Sequence, residues 1–313
     1  MMTLLKALWK LRPPGEPETP GDRLIRRWRE KRLLARLERD WPGGLVLHRT
    51  GDLVNVPSPL DARGRHALLH PPYVHPAVLG FLQPGSVVID VGANLGEWTM
   101  PFARKVGAAG RVLAIEPAPR SAAALESTLA ANALSQAEIV HCAIGDHDGT
   151  TDFAVPVVTS ARTDTGAARI GPAGAGHDAL QVPLRSLDSL AAERDFARLD
   201  LIKIDVEGHE RRVLDGAAAI LDRHRPVLVI ETGHEADGDR AAIYDRLAGL
   251  GYRMLGILLD YGMAPADWPA YVALDPPFCA GDAHNLLLVP GRASSRASEE
   301  EPVPRQGRGP SRH

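Results

Sequence analysis

The residues best able to do chemistry fall in two short stretches, 87–99 and 203–210. The first reads Val-Val-Ile-Asp-Val-Gly-Ala-Asn-Leu-Gly-Glu-Trp-Thr, an apolar run that reaches Asp90 and then turns through Gly92, Ala93, Asn94 and Gly96 to Thr99. A glycine-rich turn between strand and helix, at the carboxyl edge of a parallel sheet, is where doubly wound folds bind ligands. A dinucleotide site has G-x-G-x-x-G, with a second glycine that lets the backbone approach a pyrophosphate. Here Asn94 stands at that second position and Gly96 arrives one residue early. Asp90 also puts a carboxylate where two phosphates would be repelled. The loop therefore suits a ligand without phosphates and with cationic groups. S-adenosylmethionine, which carries a sulfonium and an ammonium, fits. Glu116 ends the next apolar run, 20 residues after Gly96. A carboxylate at that place can accept both ribose hydroxyl protons of an adenosine.

The second stretch, Lys203-Ile-Asp-Val-Glu-Gly-His-Glu, puts Asp205, Glu207 and His209 at the carboxyl end of another apolar run. Glu231 and His234 close the run after it, and both sets should face one cleft beside the glycine loop. Methyl transfer from a sulfonium requires alignment of three atoms and the handling of one proton. His209 is the expected general base, because imidazole titrates near the working pH range. Glu207 and Asp205 compete for the role, and a surface histidine at a helix start is the plainer reading of His209. Lys203 inside an apolar strand reads as a buried ion pair with a neighbouring carboxylate. Asp205, Glu231 and a histidine could also hold Mg2+ and lower the pKa of a hydroxyl. Metal-dependent enzymes of this type pair acid with Asn at the second strand end. Thr232 follows Glu231 here, so no metal ligand is assigned.

These residues need a parallel sheet to bring them together. Apolar runs bounded by Gly, Pro or Asp occur at 87–91, 112–115, 139–144, 199–204 and 227–230, with two more at 253–259 and 286–289. Helical segments at 97–106, 120–134, 211–224 and 240–250 lie between most of them. Continuous apolar strands alternating with helices indicate an α/β, doubly wound sheet buried on both faces. The stretch 159–180, rich in Gly, Ala and Thr, reads as a long irregular insertion. Residues 41–84 read as a prelude of short strands (45–49 and 52–56) and Pro-rich turns, 85–290 as the catalytic domain, and 291–313 as a disordered tail.

Charge divides the chain further. Residues 1–40 hold 11 Lys/Arg against 6 Asp/Glu, and 41–290 hold 20 against 30. Within the arm, 22–39 reads as a basic amphipathic helix with Leu24, Ile25, Trp28, Leu33, Leu34 and Leu37 on one stripe. It suits either the chain's own acidic domain or peripheral contact with an anionic membrane surface. The acidic centre argues against nucleic acid as a partner. Lys6 interrupts the only apolar opening, so neither export nor a membrane span is expected, and the expected location is cytoplasmic. Two cysteines, Cys142 and Cys279, exclude a disulfide framework.

The stretches DVGANLGEWT (90–99), IEP (115–117), AIGDHDG (143–149), SLDSL (186–190), KIDVEGHE (203–210), VLVIE (227–231) and NLLLVP (285–290) resemble the FkbM-type family of S-adenosylmethionine-dependent methyltransferases. The resemblance covers roughly 85–290. It implies a seven-stranded class I methyltransferase sheet, Rossmann-like, with its last strand antiparallel. It also implies S-adenosyl-L-methionine as cofactor and a hydroxyl oxygen of a saccharide, glycolipid or natural-product small molecule as acceptor. Asp90, Gly92, Ala93, Asn94, Gly96 and Thr99 would wrap the amino-acid end of the cofactor, Glu116 its ribose, and Ala143, within 142–144, would lie beside its adenine. In this fold the acceptor pocket is built from the prelude, the insertion and 260–283. Two other readings stand beside this one: a nicotinamide-dependent oxidoreductase, which Asn94 opposes, and a non-catalytic module recruited by the basic arm. The turns at His70–Tyr73 and Asp275–Phe278 look like nucleobase methyltransferase motifs but sit at the wrong distances from Gly92.

Overall fold

The computed structural model describes residues 43–58, 62–159, 162–163, 168–233, 239–259, 262–272 and 284–291, preceded by Trp28, Arg32, Arg36 and Arg39. Most of the basic arm, His234, the 275–278 turn, Cys279 and the tail lie outside the described residues. None of the described helices is long and apolar enough to cross a membrane.

The chain opens with an antiparallel hairpin, β1 (Gly44–Leu47) and β2 (Leu53–Val56), then α1 (Ala62–Leu69) and α2 (Pro76–Leu79). The alternation follows: β3 (Val87–Val91), α3 (Thr99–Val106), β4 (Arg111–Ile115), α4 (Pro119–Ala131) and β5 (Ala137–Val140). A ribbon comes next, made of β6 (Ala143–Ile144), β7 (Gly149–Thr159), β8 (Arg162–Thr163), β9 (Arg169–Ile170) and β10 (His177–Arg185). Then come α5 (Leu187–Arg194), β11 (Leu201–Ile204), α6 (Glu210–Asp215), α7 (Ala218–His224), β12 (Val227–Thr232) and α8 (Asp239–Gly249). The described chain closes with β13 (Tyr252–Leu259), β14 (Gly262–Ala264), α9 (Trp268–Val272) and β15 (His284–Pro290).

Among the described residues the main sheet has the order β14-β13-β15-β12-β11-β3-β4-β5. The strands β5, β4, β3, β11 and β12 pair in parallel, while β15 runs antiparallel to both β12 and β13. These are the seven strands expected, with the last one reversed and a short edge strand, β14, added. Every residue of β11 and β12 is buried, which is why these strands read as unbroken apolar runs. Alternate strand residues feed two cores: Ile89, Val91, Leu113 and Ile202 on one face, Val88, Val112 and Leu201 on the other, where Phe102 of α3 packs. Strand order reverses at β3, which opens a crevice at its carboxyl end.

Three local expectations change. The run 139–144 is two strands, because the chain turns at His141 and Cys142; β5 stays in the main sheet and β6 pairs with β10 in the ribbon. The helix expected over 211–224 breaks at Gly216 and Ala217. A Cβ at Gly216 would sit 2.0 Å from the carbonyl oxygen of Gly145, so backbone contact with the ribbon interrupts it. The stretch 159–180 is not wholly irregular: β8, β9 and the start of β10 fall within it, and the ribbon packs Phe153, Val155, Ala168, Val182 and Leu184 together. The prelude is tied down as well. Asn132 Oδ1 accepts from Leu53 N–H (3.1 Å), and Thr128 Oγ1 accepts from Asn55 N–H (2.8 Å), fixing β2 on α4.

Candidate active site

The crevice beside β3 is a cleft of about 1250 Å3, counted to its open mouth. Its floor is the turn after β3. Gly92 and Ala93 both donate to the carbonyl of Ile115 (3.0 Å each). Gly92 has φ +80°, and a Cβ there would lie 1.9 Å from the carbonyl oxygen of Asp205. The two sequence stretches therefore touch backbone to backbone at Gly92, and only glycine permits that contact.

Gly92, Ala93, Asn94, Glu116, Ala143, Asp205 and Glu207 all line the cleft. Asp90, Gly96 and Thr99 do not; they stand behind it. Asp90 is wholly buried, and its Oδ2 accepts from Thr99 Oγ1 at 2.6 Å. Gly96 packs against Leu125. Glu116 accepts from Asn94 N–H on Oε2 and from Ala118 N–H on Oε1, both at 2.8 Å. Burial nonetheless pushes this carboxyl up to about 7. Cys142 also lines the cleft, with its thiol pushed up to about 12 by burial.

The other wall is acidic and compensated from within. Lys203 is 2% exposed and donates to Asp205 Oδ2 at 2.7 Å, with Asp90 Oδ1 at 3.9 Å, which is the buried ion pair expected of it. Burial opposes ionisation of Asp205, but the Lys203 ammonium, the bond from Glu231 and the Arg63 guanidinium outweigh it. Its carboxyl is held well below the usual range. Burial, then the bond to Asp205 and its negative charge, push Glu231 up to about 9. Of the two carboxyls, Asp205 is the one that favours ionisation and Glu231 the one that favours its proton. Glu207 projects into the cleft with Arg63 at 3.7 Å.

His209 is not brought into this cleft. It precedes α6 as the N-cap residue, and its Nε2 lies 3.5 Å from where a Cβ of Gly145 would be, on the ribbon side. Burial and the nearby Arg212 lower its pKa. His234 lies outside the described residues.

The prelude contributes a wall, as expected of it, but through a helix that was not foreseen there. Arg63, His66, Ala67 and His70 lie on α1 or just past its end and line the cleft, as do Glu97, Trp98 and Asn285. His66 Nε2 is 3.0 Å from Glu97 Oε1, and the rings of His66 and His70 stack at 4.6 Å. Burial would raise Glu97, but the His66 bond and charge, then Arg63, outweigh it and lower its pKa. The signal was the i, i+3, i+4, i+7 spacing of these four residues, in a segment read as turns. Phe153, Ala168 and Ile170 of the ribbon complete an apolar side.

One carboxylate oxygen from each of Asp205, Glu207 and Glu231 falls within 4.8 Å of the others, a spacing that could hold a cation. Lys203 already bonds Asp205 at 2.7 Å, and Arg63 faces Glu207 at 3.7 Å. The donor set fits a divalent ion poorly. It fits a ligand that brings its own positive charge and no phosphate.

The family model of the methyltransferase FkbM domain matches residues 90–254. The chain is 32% identical over 199 residues to 31-O-demethyl-FK506 methyltransferase FkbM of Streptomyces tacrolimicus, covering 56% of this chain and 75% of that protein. It is 30% identical over 158 residues to methyltransferase sdnD of Sordaria araneosa, covering 41% and 59%. A crystal structure of methyltransferase FkbM from Methylobacillus flagellatus aligns over 72% of this chain at 18% identity and a TM-score of 0.41; the chain spans 52% of that longer protein.

Proposed function

The chain belongs to the methyltransferase FkbM family, and from that premise we propose that it methylates a hydroxyl oxygen of a saccharide or natural-product small molecule, using S-adenosylmethionine. The observation that carries this reading is the cleft's charge. Asp205, held ionised, stands with Glu97 and Glu207 on a wall that Lys203 and Arg63 partly offset, beside a turn whose second-glycine position is Asn94. Such a wall attracts a sulfonium and an ammonium and repels a pyrophosphate. The name of the Streptomyces relative, an O-demethyl substrate's methyltransferase, supports oxygen as the acceptor atom.

When bound here, S-adenosylmethionine would supply a methyl group activated by its sulfonium for transfer to the acceptor oxygen, with the thioether as leaving group. The protein's own residues bind, align and take up the proton. Gly92, Ala93 and Asn94 provide the floor, and Glu116 offers its remaining lone pairs to ribose hydroxyls. Ala143 and Cys142 provide an apolar edge for the adenine. Glu207 receives the hydroxyl proton. Asp205 is engaged by Lys203 and Glu231, and His209 lies away from the cleft, so Glu207 is the accessible acceptor among the three. The α1 face, with Arg63 and His66, borders the acceptor side.

Calorimetry with S-adenosylmethionine and with NAD(P) tests the cofactor reading. Binding of the first and silence with the second are expected, and the reverse would defeat it. Incubation with methyl-labelled cofactor and small-molecule extract, followed by mass spectrometry, identifies the acceptor. Label on nitrogen or carbon would overturn the oxygen assignment.

A further inference from the structure

Five non-glycine residues have positive φ among the described residues: Asn94, Ala133, Asp195, Glu207 and Arg225. Three of these close helices: Asp195 after α5, Arg225 after α7, and Ala133 next to the last residue of α4's cap. The left-handed conformation is ordinary there. The other two, Asn94 and Glu207, line the cleft. Asparagine tolerates the left-handed region, because its short side chain bonds locally; glutamate has no such compensation. Each of these two turns is held by a buried glutamate that accepts backbone N–H groups. Glu116 does this for Asn94. At the other turn, Glu210 Oε1 accepts from Val206 N–H (3.3 Å) and from Gly208 N–H (3.1 Å), the residues on either side of Glu207.

We propose that Glu210 is a positioning residue for the methyl transfer, holding Glu207 in the left-handed turn that carries its carboxylate into the cleft. Glu210 is 2% exposed and is not part of the cleft wall, so it reaches the reaction only through this turn. Two N–H groups converging on one oxygen fix the peptide planes that flank Glu207, and Gly208, at φ +94°, lets the chain recover its direction into α6.

The proposal rests on the reading of Glu207 as proton acceptor, and the experiment separates the two. On the full chain, Glu210→Ala is expected to lower kcat at least tenfold for the acceptor found by labelling, with the Kd of S-adenosylmethionine unchanged. Glu210→Gln, whose amide oxygen can accept both N–H bonds, is expected to restore most of that loss. Glu207→Gln alone is expected to lower kcat about 100-fold or more, and adding Glu210→Ala to it should lower kcat no further. An additional loss in the double variant, or an unchanged kcat in Glu210→Ala, overturns the proposal. Amide hydrogen exchange across 204–210 gives a readout independent of the chemistry: Glu210→Ala should speed exchange at Val206 and Gly208, and Glu210→Gln should not. If Glu207→Gln leaves kcat intact, the proton-acceptor reading fails. The exchange rates then decide the positioning alone, and unchanged rates would sink it.

Discussion

Glu116 and Glu231 are buried glutamates at strand ends on one cleft, both with raised pKa values but in different surroundings. Glu116 faces two backbone N–H groups and no full positive charge in hydrogen-bond range, so its charge is stabilised by dipoles while burial pushes its pKa up to about 7. Glu231 shares a proton with Asp205, whose own charge is held by Lys203 at 2.7 Å, and its pKa is pushed up to about 9. Dipoles leave Glu116 poised to change charge near neutral pH. The ammonium at Asp205 instead favours ionisation there and protonation at its neighbour Glu231. The first arrangement suits a group that must meet ribose hydroxyls as an acceptor. The second suits a wall that must stay electrostatically constant through a reaction.

The strongest way to break that contrast is to remove the ammonium. Lys203→Met is nearly isosteric but leaves Asp90 and Asp205 buried without their cation. Breaking a buried pair from one side destabilises by about 3–5 kcal/mol, which corresponds to a Tm drop of roughly 10 °C for a chain of this size. Adding Asp205→Asn should recover part of the loss. A Lys203→Met variant that melts with the wild type would show that Asp205 never depended on the ammonium.

This contrast was only partly legible in the sequence. The strands were, because β3, β11 and β12 are buried on both faces and so read as unbroken apolar runs. The glycine turn and Glu116 were also legible, since local spacing determines where they fall relative to a strand end. Lys203 stood out because a lysine in an apolar run needs a partner. The ribbon was not, because Gly, Ala and Thr in 159–180 carry weak periodicity, and β7 pairs with β10 across more than 20 residues of sequence. The plainer reading of His209, a histidine at a helix start, holds, and its expected place in the cleft does not. The difference follows from the reversal of the chain at Glu207 and Gly208, which turns the imidazole toward Gly145 instead of the cleft. The spacing of Arg63, His66 and His70 marks a helical face, but its placement on the cleft depends on tertiary contacts such as the bonds of β2 to α4.

A second, smaller effect separates the two glutamates by pH. In the folded chain Glu231 keeps its proton up to about pH 9, whereas in the unfolded chain it loses it near 4.5. Its contribution to stability is therefore complete below about 4.5 and is lost as pH rises through the window toward about 9. Glu231→Gln keeps the donor to Asp205 and has no proton to lose. The variant should gain stability relative to the wild type steadily from pH 5 to 9, measured by urea unfolding. A constant difference across that range would mean that the shared proton is absent.

The smallest effect expected is at Glu116, and it bears on binding as well as on folding. The sign for stability is the same as for Glu231, but the window closes at about 7, so the Glu116→Gln difference should level off above neutrality. For binding the sign reverses. Ribose hydroxyls donate best to an ionised carboxylate, and protonation below about 7 removes that acceptor charge. S-adenosylmethionine affinity should therefore weaken as pH falls from 7 to 5.5, by up to about tenfold per unit in the limit where binding requires the ionised form. In Glu116→Gln the same titration should be flat, and its Kd at pH 8 should sit above that of the wild type. Calorimetry at three pH values suffices to read this. If wild-type affinity stays constant through pH 7, Glu116 serves only to hold the Asn94 turn, and the two glutamates differ in their neutralising partners but not in their use.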